Sequence, residues 1–160
     1  MRTISFAAVT ICTVFMPMAV RAQVADTSAA ATSAADKSIV VFPQNLEFKG
    51  PPGKPQTAIL YGDPKKPGVF VTRIKFPAGY KDMPHWHPDE LRTVAVLSGT
   101  FYFANGDKWD ESKLKAYPAG TFYSEPRKSV HYSWAKDGEV ILQLTGIGPS
   151  GKTFVEQPKH

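Results

Sequence analysis

Short β-rich runs, separated by proline and glycine, constrain the fold of this chain more than any other feature of its sequence. Six of them recur at regular intervals, at residues 69–76, 91–97, 100–104, 121–125, 130–134 and 140–145. In the first run, every second residue falls on one face of the predicted strand: Phe70, Thr72, Ile74 and Phe76. Since the chain has 14 prolines, 12 glycines and no long helical stripe, the sequence predicts an all-β sandwich or barrel.

Residues 1–22 carry the pattern of an export signal. Arg2 precedes an apolar stretch at residues 4–20, and Val20-Arg21-Ala22 places small residues where a signal peptidase cleaves. The alternative is a retained membrane anchor, because about 17 to 25 apolar residues can span a bilayer. We favour cleavage, since Pro17 and the small residues after it suit a processing site. Cleavage predicts a periplasmic or secreted protein with no stable membrane insertion.

The rest of the chain divides into a linker and one domain. Residues 23–38, mainly Ala, Ser, Thr and Asp, are predicted to be a flexible linker, and residues 39–160 are predicted to form the folded domain. Cys12 is the only cysteine, so the cleaved chain has no disulfide framework and no cysteine-ligated site. Its basic residues form no run or stripe, so nucleic acid is not an expected partner.

Three of the four histidines stand at positions that suggest a common site. His85 and His87 are two residues apart, so on a strand both side chains project to the same side. Neutral imidazole is a common ligand of Zn, Fe, Cu and Ni, and two from one strand supply half of a metal site. Taken alone, a His-x-His pair is also typical of a surface strand or turn, so the surrounding residues decide between these interpretations.

The residues around His85 and His87 resemble the first motif of the cupin superfamily. Gly79 is followed by five residues, then by His85-Trp86-His87, and later by Gly99. A later stretch resembles the second cupin motif. There Gly120 is followed by five residues and then by Pro126, and His131 comes five positions after Pro126. The resemblance covers about residues 69–149. Both motifs stand in the expected order with the expected spacer between them.

This resemblance implies an antiparallel jelly-roll β-barrel, which forms a homodimer and binds a divalent metal inside the barrel. Carried over by position, the metal ligands are His85, His87 and His131. The resemblance further implies a metal-dependent enzyme of the oxygenase, isomerase or lyase type, acting on a small anionic molecule. The metal stays open between Fe, Mn, Zn, Ni and Cu. The alternative is a module that binds or senses a metal or small ligand without turnover.

The chain departs from the cupin pattern where a glutamate would complete the metal site. That place falls on Arg92, which cannot bind a metal because arginine stays protonated. Glu90 shares its strand parity and is one alternative for the fourth ligand. Arg92 would otherwise grip an anionic substrate beside a three-histidine site, or pair with Asp89 or Glu90 at the barrel mouth. A metal-free binding barrel is a further alternative. Of these alternatives, we favour the one in which three histidines bind the metal and Arg92 binds the anionic substrate.

Aromatic residues are expected on both sides of this site. Either Phe101 and Phe103 or the intervening Tyr102 should line the cavity, and the sequence leaves that choice open. Tyr102 is the candidate for substrate binding. The aromatic residues that alternate with the histidines are expected to face away from the site and to serve in packing: Trp86, Tyr132 and Trp134.

Overall fold

A computed structural model of the chain describes residues 38–156. Within this range lie two short 3₁₀ helices, Pro43–Asn45 and Glu111–Lys113, and ten strands. The strands are β1 (Gln56–Tyr61), β2 (Gly68–Phe76), β3 (Lys81–Trp86), β4 (Arg92–Ser98), β5 (Thr100–Asn105), β6 (Lys115–Pro118), β7 (Phe122–Ser124), β8 (His131–Trp134), β9 (Val140–Gly148) and β10 (Thr153–Phe154). None of the helices in the described range is long and apolar enough to cross a membrane. The predicted export signal, and the predicted linker up to residue 37, lie outside the described residues.

The strands form two five-stranded antiparallel sheets. Sheet I has the order β1-β2-β9-β4-β7, and sheet II has the order β10-β3-β8-β5-β6. Strands that follow one another along the chain mostly lie in opposite sheets, which is the jelly-roll arrangement. The prediction of an all-β antiparallel jelly roll is therefore confirmed. The two sheets are not joined into one closed barrel, so the fold is a jelly-roll sandwich.

Sheet I supplies most of the apolar core, because its central strands alternate as the sequence predicts. β2 pairs with β9 over nine residues, from Gly68 opposite Gly148 to Phe76 opposite Val140. The buried residues of β2, β4 and β9 belong to one hydrophobic cluster: Phe70, Phe76, Val94, Val96, Val140, Leu142 and Leu144. Burial of each side chain stabilises the fold by about 1.5–3 kcal/mol. A shift of one residue would turn this whole set outward, so the pattern specifies the register.

Gly99 lets the chain pass from sheet I to sheet II within a single residue. It lies between the last residue of β4 and the first residue of β5. Its φ is 75°, and a Cβ atom there would lie 2.5 Å from the carbonyl oxygen of Glu139. Both the left-handed conformation and the close approach require glycine. The crossing brings Phe101 and Phe103 of β5 into the core formed with sheet I.

The connection between β5 and β6 covers the outer face of sheet II. Trp109 in this connection packs on Tyr132 and Trp134, with ring centroids 5.2 Å and 6.1 Å apart. Tyr132 is fully buried, and its hydroxyl donates to the carbonyl oxygen of Asp110 at 2.9 Å. The aromatic residues next to His131 therefore face away from it and pack within the same chain.

Candidate metal centre

Three histidines meet at one end of the interior. His85 in β3 lies directly opposite His131, the first residue of β8, and His87 follows the last residue of β3. All three are buried, and their ring centroids lie 4.4–5.3 Å apart. One nitrogen of each ring lies within 4.8 Å of the others. The structure thus brings together the three histidines that the sequence predicts as one site.

Each histidine ring is oriented by a hydrogen bond to a backbone carbonyl. The Nδ1 atoms lie 2.6 Å from Met83 O for His85, 2.5 Å from Gly151 O for His87, and 3.0 Å from Ser129 O for His131. Because a carbonyl oxygen only accepts, Nδ1 carries the proton in each ring, and Nε2 keeps its lone pair. Hydrogen bonds of this kind fix the tautomer and the orientation of metal-binding histidines.

Burial keeps the three imidazoles neutral. It lowers the pKa of His85 to about 4. For His87, burial and the nearby positive charge of Arg92 lower the pKa to about 2. Burial also lowers the pKa of His131. Since a metal must displace a proton from a charged imidazole, rings that are neutral at pH 7 are ready to bind one.

Two buried carboxylates flank the histidines. Oδ2 of Asp82, in β3, lies 3.7 Å from Nε2 of His85 and accepts a hydrogen bond from Nζ of Lys152. Its Oδ1 has no hydrogen-bond partner among the described residues. Oε1 of Glu125, just after β7, lies 3.8 Å from Nε2 of His131. A buried carboxylate oxygen without a partner is costly, so Asp82 marks a place for a donor or a cation.

Arg92 lies inside the domain but is already paired. Its Nε donates to Oε2 of Glu125, and its Nη1 lies 3.3 Å from Oδ1 of Asp89. Nη1 also lies 3.5 Å from Oγ of Ser150. Of the alternatives that the sequence leaves open, pairing with Asp89 is therefore the one found. A guanidinium held by two carboxylates lines the cavity without being a free clamp for an anion.

Glu90 and Tyr102 lie away from the histidines. Glu90 is exposed and precedes the first residue of β4. Its side chain therefore does not follow the alternation of that strand. The hydroxyl of Tyr102 donates to Oδ2 of Asp137 at 2.7 Å, outside the cavity. Phe101 and Phe103 line the cavity instead, which resolves the choice that the sequence leaves open.

A cavity of about 170 Å³ lies beside the histidines. Apolar side chains from both sheets form most of its wall: Ile74, Phe76, Val94, Phe101, Phe103, Leu142 and Leu144. Charged side chains also line it, namely Asp82, Arg92, Glu125 and Lys152. A second cavity of about 200 Å³ shares His87, Arg92 and Lys152 with the first. Because pockets that bind drug-sized ligands measure about 300–1,000 Å³, the first cavity suits a smaller molecule.

The segment 150–154 contacts the histidine site at several points. Oγ of Ser150 donates to Oδ2 of Asp89 at 3.0 Å, and Nζ of Lys152 reaches Asp82. Phe154 in β10 pairs with His85 of β3, and their ring centroids lie 5.7 Å apart. The segment therefore forms part of the wall around the site.

No local sequence pattern identifies Asp82, Glu125 or Lys152 as site residues. Glu125 ends a predicted strand and precedes Pro126, and this is its only local signal. It reaches the site because β7 pairs with β4. Just beyond this pairing, the backbone N–H of Glu125 donates to the carbonyl oxygen of Arg92 at 2.9 Å. The pairing joins residues that are far apart along the chain.

The donor set fits a divalent first-row metal. Three neutral imidazoles keep their Nε2 lone pairs, and two carboxylates stand beside them. Imidazole suits Zn, Cu, Fe and Ni, and carboxylate suits Mn as well, so the donors do not choose among these metals.

Solved structures of other proteins share this fold at low sequence identity. An RmlC-like cupin from Shewanella frigidimarina is 19% identical, with a TM-score of 0.54 over 69% of this chain and 91% of its own. The polyketide cyclase RemF from Streptomyces resistomycificus is 14% identical, with a TM-score of 0.62 over 77% and 89%. An oxalate oxidase is 18% identical, with a TM-score of 0.55 over 78% and 67%. No protein-family model and no curated protein matches the chain.

The strand order and the structural neighbours agree with the two motifs around the histidines. Ten antiparallel strands form two facing sheets, and His85 and His131 lie opposite each other on neighbouring strands of one sheet. The neighbours include proteins described as cupin-like or as having a double-stranded β-helix domain. The chain therefore has the cupin fold.

Proposed function

We propose that this protein is an exported, metal-dependent enzyme that acts on a small anionic molecule. His85, His87 and His131 hold the metal through Nε2, and the reaction is of the oxygenase, isomerase or lyase type. The common orientation of the three rings carries the proposal. Each Nδ1 is bonded to a carbonyl, so each ring keeps its Nε2 lone pair within a buried cluster. A histidine that only fills a core also bonds its ring nitrogens, so the distinguishing feature is that one nitrogen from each of the three rings lies within 4.8 Å of the others.

The size and charge of the cavity support a small anionic substrate. A volume of about 170 Å³ admits a molecule of few heavy atoms. The formal charges of its four charged side chains cancel, namely those of Asp82, Glu125, Arg92 and Lys152. A bound divalent cation would then leave the site positive, and such ions are often the largest local charge. Lys152, whose side chain is 33% exposed, can meet an incoming anion.

The side chains around the cavity have distinct roles in this proposal. A metal bound at the Nε2 atoms would supply Lewis-acid polarisation of a substrate oxygen. Phe103, Leu142 and Leu144 exclude water from that region, which strengthens the electrostatic interactions within it. Asp82 is the carboxylate available to take a proton from a bound substrate, because its Oδ1 has no partner among the described residues.

The neighbouring structures leave the reaction itself open. They include a polyketide cyclase and an oxalate oxidase, which catalyse unlike reactions. One fold commonly supports many chemistries, so these activities belong to those proteins. A second candidate is a module that binds a metal or a small ligand without turnover. The ion pairs support it, because Arg92 and Lys152 already engage carboxylates of the same chain.

Export and self-association complete the proposal. Export rests on the signal-like pattern of residues 1–22. A homodimer is supported by exposed apolar side chains on and beside the edge strand β1: Ile59, Tyr61 and Val69. A molar mass from light scattering that equals one chain would contradict the homodimer.

Elemental analysis of the protein isolated from its native envelope fraction or medium, without added metal, tests the central claim. We expect a stoichiometric first-row divalent metal in the wild type. In His85→Ala and His131→Ala we expect a lower metal content. The affinity for the metal should fall by more than about tenfold, because even loss of a residue that only supports a ligand costs about 10–100-fold. Tyr102→Phe is the matched control and should keep the metal, since Tyr102 lies outside the cavity.

Three outcomes separate the parts of the proposal. Equal metal content in the wild type and the His131→Ala protein would exclude His131 as a ligand. An intact mass that retains Met1, instead of a chain beginning near Gln23, would contradict export. An oxygen-uptake and turnover screen with small carboxylates then distinguishes an enzyme from a binding module, which would hold the metal without turnover.

A further inference from the structure

Two carboxylates each lie near one of the proposed ligand nitrogens, at almost equal distances. Asp82 Oδ2 is 3.7 Å from His85 Nε2, and Glu125 Oε1 is 3.8 Å from His131 Nε2. Their side chains are 3% and 7% exposed, so both charges are buried. Distance alone therefore does not say which of them would bind the metal with the histidines.

The two carboxylates differ in which oxygen their cationic partner holds. Arg92 donates to Oε2 of Glu125, while Oε1 is the oxygen near the histidine. At Asp82 a single oxygen has both roles, because Oδ2 lies near His85 and also accepts from Lys152. A metal bound at that oxygen would lie beside an ammonium group, and like charges so close repel strongly in a buried site. Glu125 carries no such conflict.

Glu125 is also held more rigidly than Asp82. Its backbone N–H donates to the carbonyl oxygen of Arg92 at 2.9 Å, next to the β4–β7 ladder. Arg92 is itself fixed by Asp89, whose side chain is fully buried, and lies near Ser150. Ligating carboxylates in metal sites are usually hydrogen-bonded by outer residues in this way. Asp82 is instead held by the flexible, partly exposed side chain of Lys152.

We infer that Glu125 is the fourth protein ligand of the metal, bound through Oε1 while Arg92 holds Oε2. This inference rests on the proposed three-histidine site and extends it to three nitrogens and one oxygen. Arg92 is then a positioning residue that acts through Glu125. Asp82 is left for the substrate, which agrees with its unpartnered Oδ1.

Titration of the metal-free full chain with Co²⁺ tests this assignment, with affinity and the visible absorption spectrum as readouts. Glu125→Gln keeps the size of the side chain and a hydrogen bond to Arg92 but removes the anionic ligand. We expect it to bind Co²⁺ at least about tenfold more weakly, with an altered spectrum, since even outer-shell partners contribute about 10–100-fold. Asp82→Asn is the matched control: it removes a buried charge beside the site but no ligand, so it should keep the wild-type spectrum and lose less affinity than Glu125→Gln.

Glu125→Asp separates ligation from charge and guards against a folding defect. It keeps a negative charge beside Arg92 but withdraws the oxygen by one methylene group. Ligation predicts weaker Co²⁺ binding and a changed spectrum in a metal-free protein that still unfolds cooperatively. Wild-type affinity in both Glu125 variants, or a larger loss in Asp82→Asn, would overturn the inference while leaving the histidine site intact. Failure of the wild type to bind Co²⁺ would instead refute the proposed function.

Discussion

The two ends of the jelly-roll interior are built from different chemistry. At one end Phe76 packs against Phe101, with ring centroids 5.1 Å apart, and lies opposite Val140 in the β2–β9 ladder. At the other end His85 lies opposite His131, beside buried carboxylates and Arg92. Apolar burial stabilises the fold, whereas buried ion pairs contribute little or cost free energy. The apolar end therefore stabilises the domain, and the polar end carries the candidate metal centre.

The polar end differs also in how precisely its groups must be satisfied. Each histidine Nδ1 has a carbonyl partner, and Arg92 has two carboxylate partners. Two cavity-lining groups are exceptions within residues 38–156: Asp82 Oδ1 and the Tyr123 hydroxyl are buried and have no hydrogen-bond partner. At the apolar end the side chains need only fill the available volume, so substitutions at the two ends should destabilise the protein for different reasons.

The largest effect is expected at the apolar end. Phe101→Ala should lower the free energy of unfolding by about 3–5 kcal/mol, because it removes a buried ring and leaves a cavity. Chemical denaturation of the metal-free protein measures this change. The metal content per folded molecule should remain that of the wild type, since Phe103, two residues further along β5, is the ring that stacks on His131. A folded variant that had lost its metal would contradict the expectation that the apolar end does not affect metal binding.

A smaller effect is expected from a single hydrogen bond at the polar end. Ser150→Ala removes the hydroxyl that donates to Asp89 at 3.0 Å, and should cost about 1.5–3 kcal/mol because the acceptor is charged. Denaturant unfolding of Ser150→Ala against Ser150→Thr, which keeps the hydroxyl, isolates that bond. If both variants unfold at the same denaturant concentration as the wild type, hydrogen bonding at this end does not contribute to stability.

The smallest effect is expected at Tyr123. Tyr123→Phe removes a buried hydroxyl that lies near the Glu125 carboxylate but makes no hydrogen bond within 3.5 Å, so the free energy of unfolding should change by less than about 1 kcal/mol. Burial, together with the charge of Glu125, raises the pKa of Tyr123 well above its usual value, so the group that is removed is neutral. Thermal unfolding of the metal-free protein measures the difference. A clear loss of stability would indicate that the hydroxyl has a structural partner.

Local patterns were sufficient for the histidines and for six of the ten strands of the described residues, whereas β1, β3, β6 and β10 were not among the predicted runs. The alternation in residues 69–76 predicts the buried face of β2, because a strand with one buried face must repeat every two residues. The histidines are found from the spacing of each motif, which needs no knowledge of how distant strands pair. The same local reasoning fails at Glu90, because strand parity has no meaning before β4 begins at Arg92.

The sequence by itself determined the all-β class, the jelly-roll expectation and the three histidines of the candidate centre. Only the tertiary structure decided which carboxylates accompany them, and that Phe101 and Phe103, not Tyr102, line the cavity. Glu125 meets Arg92 through the pairing of β4 with β7, and Thr153 and Phe154 pair with residues of β3 that lie 67 and 69 positions earlier in the chain. Strand periodicity is a local property, whereas these contacts depend on which strands become neighbours in the sheets, and no single stretch of sequence contains that information.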